Sequence, residues 1–155
     1  MNQPEILIVG AGGMGALFGS ILHENGLKVV LYDTNTEHIR AIQQAGLKIE
    51  GYGGDRTIPI AATSNLSELE SAEIIIFQCK SHGTRQAAKA VKPLITQESV
   101  CISFQNGLGN EEVMAEELGE DSVMGGLTAM AGVLLEPGKI RDFSRVPSHI
   151  GEMRG

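Results

Sequence analysis

The chain has no tryptophan, only two cysteines, and aromatic residues at just 4% of its length. Cys79 and Cys101 both sit in apolar runs. They read as small buried hydrophobes on neighbouring strands and provide no disulfide framework. No run of basic residues occurs, and 12 Lys and Arg against 19 Asp and Glu leave a formal charge of −7. Nucleic acid is therefore excluded as an expected partner, because its binding depends on neutralising phosphates. No apolar stretch approaches the ~18 to 20 residues of a membrane span. The opening Met1-Asn2-Gln3-Pro4-Glu5 lacks the basic start of a secretory signal. No His, Cys, Asp or Glu spacing suggests a metal site. The expectation is a cytoplasmic domain with no membrane partner.

Glycine, by contrast, is abundant: 20 of 155 residues, nearly twice the usual ~7%. The period of three that collagen needs is absent, so these glycines serve particular backbone geometries. A hydrophobic share of 42% with 20% charged residues is enough to form a core. The length suits one domain, spanning residues 1–155.

Ile6-Leu7-Ile8-Val9 reads as a strand buried on both faces. Apolar residues at helical spacing from Met14 to Asn25 follow, ended by Gly26, and Lys28 to Tyr32 returns as a strand. Thr36 to Ala45 reads as a helix, capped by Asn35 or Thr36 and closed by Gly46. Leu47–Glu50 and Thr57–Ala61 flank a glycine-rich turn and read as two short strands. Leu66 to Leu69 suggests a helical turn. Strands are expected at Ile74–Phe77 and Val100–Phe104, and helices at Thr84–Leu94 and Glu111–Leu118. Val123–Leu135 and Lys139–Phe143 then flank the turn Glu136-Pro137-Gly138, and His149-Ile150-Gly151 adds a last strand. The alternation predicts a Rossmann-type, doubly wound, mostly parallel α/β sheet with an antiparallel hairpin at its C-terminal edge.

Gly10-Ala11-Gly12-Gly13-Met14-Gly15 matches G-x-G-x-x-G between the first strand and the first helix. Gly10 permits the tight turn, Gly12 leaves room for a pyrophosphate, and Gly15 lets the helix pack against the sheet. The leading helix amides would meet the phosphates, and Gly19 continues the close-packing edge. Asp33, at the end of the second strand and about twenty residues beyond the loop, is placed to accept hydrogen bonds from the adenosine ribose. The plainer reading makes Asp33 a turn or cap residue. A carboxylate there repels a 2′-phosphate, and the nearest base is Arg40, so NAD is favoured over NADP.

Ligands of such sheets collect beyond the carboxyl ends of the strands. Two segments fall there, Gln78-Cys79-Lys80-Ser81-His82 and Gln105-Asn106-Gly107-Leu108-Gly109-Asn110. Asn106-Gly107 can be a simple turn with Asn110 as a helix cap, and Lys80 a solvated charge. Alternatively, Asn106 bonds a ribose or substrate oxygen and Lys80 offers a cation or a ribose contact. His82 and His149 read as surface or structural residues.

The glycine fingerprint, Cys79-Lys80 and Gln105-Asn106-Gly107-Leu108-Gly109, taken in that order, resemble the ketopantoate reductase (2-dehydropantoate 2-reductase) family. Gly126-Leu127-Thr128-Ala129, Pro137-Gly138-Lys139-Ile140 and His149-Ile150-Gly151 are similar to that family's closing hairpin. The resemblance implies reduction of the 2-oxo acid 2-dehydropantoate to pantoate by a nicotinamide cofactor, in pantothenate and coenzyme A synthesis. It also implies that Lys80 and Asn106 contact the cofactor near the nicotinamide ribose. Asn106 would meet substrate as well, and Gly132 would approach the cofactor through its backbone. Met130 stands where many members carry His, and Asp33-Thr34 where NADPH users often present a base. By the same resemblance, the family's helical C-terminal domain, which would supply the catalytic Lys, is expected to lie outside these 155 residues. No catalytic residue is therefore assigned in this chain, and the polar ending Glu152-Met153-Arg154-Gly155 favours a fragment over a stand-alone module. Self-association around the Val123–Phe143 hairpin is an open expectation. Two other readings stand beside this one: another 2-oxo acid or hydroxyacid dehydrogenase, and a non-catalytic NAD-binding sensor module.

Overall fold

Buried, β-branched runs lie side by side at the centre of the molecule. A computed structural model describes residues 3–153; Met1, Asn2 and the Arg154-Gly155 end of the polar tail lie outside the described residues. The strands are β1 (Ile6–Val9), β2 (Val29–Tyr32), β3 (Leu47–Gly51), β4 (Arg56–Ile58), β5 (Ala61–Thr63), β6 (Ile74–Phe77), β7 (Val100–Ser103), β8 (Val123–Leu127), β9 (Ala131–Glu136), β10 (Lys139–Ser144) and β11 (His149–Glu152). The α-helices are α1 (Gly13–Glu24), α2 (Thr36–Ala45), α3 (Thr84–Val91) and α4 (Asn110–Leu118).

Seven strands form one sheet in the order β11-β8-β7-β6-β1-β2-β5. Six of these run parallel, and only β11 is antiparallel, paired with β8. The chain winds outward from β1 to β2 and β5, then returns to β6 and winds the other way. The order therefore reverses between β1 and β6, and a crevice opens beyond the carboxyl ends of those two strands. Side chains of β1 alternate between faces: Ile6 and Ile8 join one core cluster, Leu7 and Val9 the other.

Three expectations from sequence change here. Val123–Leu135, read as one flank of the hairpin, divides into β8 in the main sheet and β9 in a second sheet. Residues 57–61 are not one strand. Pro59 has no N–H to give a ladder, and the chain breaks there, leaving β4 in a second sheet and β5 beside β2. The hairpin β9–β10 also does not edge the main sheet. It builds a separate four-stranded sheet, β4-β3-β10-β9, in which β10 runs parallel to β3. The antiparallel edge of the main sheet is β11.

The second sheet decides the environment of α1. This helix contacts β1 and β2 on one side and β9 and β10 on the other. Its residues from Gly15 to Ser20 are all buried, as a helix apolar around its circumference must be. Polar contacts hold the outer rim. Arg56 pairs with Glu24 at 2.6 Å and keeps that carboxyl below its ordinary range, and Arg145 pairs with the buried Asp142 at 2.8 Å.

Candidate functional site

A strand that ends against a helix N-terminus needs a turn no side chain obstructs. Gly10 makes it at φ +99°, and a Cβ there would lie 2.5 Å from the Cys79 backbone nitrogen. At Gly15 a Cβ would run into the Gly10 carbonyl, and at Gly19 into Leu31, so both set how closely α1 lies on the sheet. Gly12 differs from these: nothing lies within 4 Å of where its Cβ would stand. That open position faces a cleft of about 710 Å³, lined by Gly10, Gly12, Asp33, His38, Gln78 and Lys80 among others. The volume is within the range of small-molecule sites. No side chain caps the first turn of α1, so its leading amides have no partner within the helix.

The cleft fits a dinucleotide on two further counts. The Gln78 side-chain nitrogen is buried in the cleft wall without a hydrogen-bond partner, a donor left for an incoming acceptor. Asp33 lines the cleft with its carboxylate held in place: Ala11 N–H donates to Oδ2 at 2.8 Å and Asn35 N–H to Oδ1 at 2.9 Å. The turn role and the cleft role thus coincide in one residue. The cap of α2 is Asn35, whose Oδ1 accepts from His38 N–H at 3.1 Å.

Gly13 and Gly132 answer a packing need. A Cβ at Gly13 would meet the Val133 backbone at 2.5 Å, and one at Gly132 the Gly13 carbonyl at 2.8 Å. Strand β9 therefore crosses directly over the start of α1. The Gly132 amide donates to the Met14 sulfur at 3.1 Å. Of the β9 residues, it is Leu134 that lines the cleft.

Lys80 is exposed on the cleft wall, and Asn106 lies one loop away, joined to it through Ser81, whose hydroxyl donates to the Asn106 carbonyl at 2.9 Å. Asn110 is not the cap of α4. Gly109 holds that position at φ +88°, and Asn110 is buried, its side-chain amide donating to the Asn106 carbonyl at 3.1 Å. Gln105 donates to the Cys79 carbonyl at 2.7 Å and to the Thr84 hydroxyl at 2.8 Å, and Thr84 donates to Asn110 at 3.0 Å. This buried network, Gln105–Thr84–Asn110, locks the Lys80 loop to the Asn106 loop. Sequence reading missed Thr84, because a threonine opening a helix usually signals a cap.

Removing the central hydroxyl tests the network. Thr84→Val strips Gln105 and Asn110 of their shared partner. It is expected to cost about 1–3 kcal/mol in urea denaturation, because the buried Asn110 Oδ1 loses its partner while Gln105 keeps the Cys79 carbonyl.

Cys101 is buried on β7, with its thiol pushed up to about 12 by burial. Cys79 departs from the expectation of a strand hydrophobe. It follows β6, is half-buried and lines the cleft, and burial raises its thiol too. Among the described residues no group of three or more His, Cys, Asp or Glu is placed to hold a metal ion, and no helix is long and apolar enough to cross a membrane.

Residues 6–155 match the family described as Ketopantoate reductase PanE/ApbA. The chain belongs to this family. It is 36% identical over 147 residues to a 2-dehydropantoate 2-reductase of Pyrococcus horikoshii, covering 95% of this chain and 47% of that one. With the enzyme of the same name from Lactococcus lactis it shares 31% over 141 residues, 90% of this chain and 45% of the relative. The chain thus spans less than half the length of these family members. Among solved structures, a 2-dehydropantoate 2-reductase from Geobacter metallireducens superposes with a TM-score of 0.88 at 27% identity, over 96% of this chain and 49% of that one. A D-mandelate dehydrogenase with NADH and anilino(oxo)acetate superposes at 0.82 and 25% identity, over 94% and 46%.

Proposed function

We propose that this chain is the nicotinamide-dinucleotide-binding domain of an oxidoreductase that reduces 2-dehydropantoate to pantoate. The observation that carries the reading is the open Gly12 position beside the uncapped α1, facing a cleft that also holds Asp33 and Lys80. The diphosphate would lie on the leading amides of α1, where the helix dipole favours negative charge. Asp33 would take the adenosine ribose hydroxyls, and Lys80 and Asn106 would stand at the nicotinamide end. When bound, the reduced nicotinamide supplies a hydride to the keto carbon. The alkoxide that forms needs a proton, and no side chain of this domain is assigned that task.

NAD is favoured over NADP. The Asp33 carboxylate is fixed by two backbone amides, so it does not swing aside to admit a 2′-phosphate. The solved D-mandelate dehydrogenase of similar fold holds NADH, which supports this reading. It also keeps a second reading open, a related 2-hydroxyacid dehydrogenase. In this reading the exposed apolar residues Leu127, Val133, Leu135, Phe143 and Ile150 are surface that the remainder of a full-length relative would cover. The cytoplasm, with its nicotinamide pool, is where such a reaction would run.

A fluorescence titration with NADH, followed by turnover assays with 2-dehydropantoate and with mandelate's 2-oxo acid, tests the reading. The 155-residue chain is expected to bind NADH without turnover, and a chain extended to the relatives' full length to oxidise NADH with 2-dehydropantoate. Turnover only of the aromatic 2-oxo acid would favour the second reading.

A further inference from the structure

A buried imidazole needs partners for both nitrogens, and His38 has them. It is 1% exposed, in the first turn of α2, and it also borders the cleft. The Gly138 amide, in the turn between β9 and β10, lies 2.9 Å from Nδ1. A backbone N–H only donates, so Nδ1 is the acceptor, and in the neutral ring Nε2 carries the proton. Nε2 lies 2.8 Å from the Ala11 carbonyl and donates to it. The turn packs closely on α2: a Cβ at Gly138 would lie 2.8 Å from that of Ala41.

The Ala11 carbonyl shares a peptide unit with the Gly12 amide. In a trans peptide the C=O and N–H point in opposite directions, and the described chain has no cis peptide. Holding the carbonyl toward His38 therefore turns the Gly12 N–H away from it. The peptide before is fixed too, since Ala11 N–H donates to Asp33. Two buried or half-buried side chains thus grip consecutive peptides of the glycine loop, one by its N–H and the next by its C=O.

We propose that His38 is a positioning residue of the phosphate loop: by holding the Ala11 carbonyl it presets the Gly12 amide as a donor to the diphosphate, with its own tautomer set by Gly138. This rests on the dinucleotide reading above. It links the second sheet to the cofactor site through the His38 ring, and gives the hairpin turn a part in binding.

Two near-isosteres separate positioning from mere filling. His38→Gln keeps a donor at the reach of Nε2, whereas His38→Asn keeps an acceptor near Nδ1 and loses the bond to Ala11. Affinities of the 155-residue chain for ADP-ribose, which carries the diphosphate, and for adenosine, which does not, are read by amide shift changes. His38→Asn is expected to weaken ADP-ribose about tenfold, the value of one well-placed hydrogen bond, with adenosine unchanged. His38→Gln should restore most of the ADP-ribose affinity. Nitrogen shifts of the wild-type ring should show the proton on Nε2, a readout that needs no ligand. Equal ADP-ribose binding by wild type and His38→Asn overturns the proposal, as does a proton on Nδ1 or a loss shared equally by adenosine. So does a His38→Gln variant that, at unchanged melting temperature, binds no better than His38→Asn. A wild-type chain that binds neither ligand overturns the dinucleotide reading itself, and the role of His38 with it.

Discussion

Gly12→Ala is expected to leave the fold intact and to remove most of the NADH affinity. The position has φ −63° and ψ −167°, which alanine adopts freely, and nothing lies within 4 Å of the added methyl. Losing glycine from the helix cap and restricting the unfolded chain act in opposite directions, so stability should stay within about 1 kcal/mol. The methyl would nevertheless stand between the diphosphate and the α1 amides. Losing one or two charge-assisted bonds there should weaken NADH binding on the order of 10- to 100-fold. Gly15→Ala should behave in the opposite sense. Its methyl would collide with the Gly10 backbone carbonyl, which cannot rotate aside. A loss of about 3 kcal/mol, at the upper end of overpacking costs, is expected. Thermal denaturation and NADH titration of both variants check the contrast.

The second large effect concerns the choice of cofactor. Asp33→Asn preserves the shape of the side chain and one oxygen for the Ala11 or Asn35 amide, but removes the negative charge. NADH affinity should fall about tenfold, because a charged acceptor for the ribose hydroxyls is lost. NADPH affinity should hold or rise as repulsion of the 2′-phosphate disappears. Parallel titrations with the two cofactors should therefore show the preference for NADH shrinking by at least about tenfold. A preference that stays the same would mean that discrimination lies elsewhere in the cleft.

How much of this was legible beforehand follows from where each determinant sits in the chain. Ile6–Val9, Thr36–Ala45 and Ile74–Phe77 have the bounds their own residues signal, because apolar runs, an Asn cap and closing glycines are local features. The glycine fingerprint was legible for the same reason: turn, helix start and acidic partner lie within one strand–helix–strand unit. The second sheet was not. The partner of β10 is β3, roughly ninety residues earlier, and nothing in either strand names the other. Without that sheet, Gly13 reads as a phosphate glycine, whereas in the fold it is also the point where β9 crosses α1. His38 was missed for a related reason. It shares the buried face of α2 with Ile39 and Ile42, and that pattern marks burial, but the two backbone groups it joins are 27 and 100 residues away. Asn110 resembled a cap because its neighbours form a turn; only the packing of α3 against α4 shows it bonding inward.

The most direct test of the account is where NADH touches the chain. Amide shift mapping during titration should give its largest changes at Gly12, Gly13, Asp33 and Lys80, along the cleft at the carboxyl ends of β1 and β6. A smaller pocket of about 410 Å³ opens at the opposite ends of the strands, beside Pro4, Lys28 and Pro59. Changes centred there, with the Gly12 amide unmoved at saturation, would contradict the assignment.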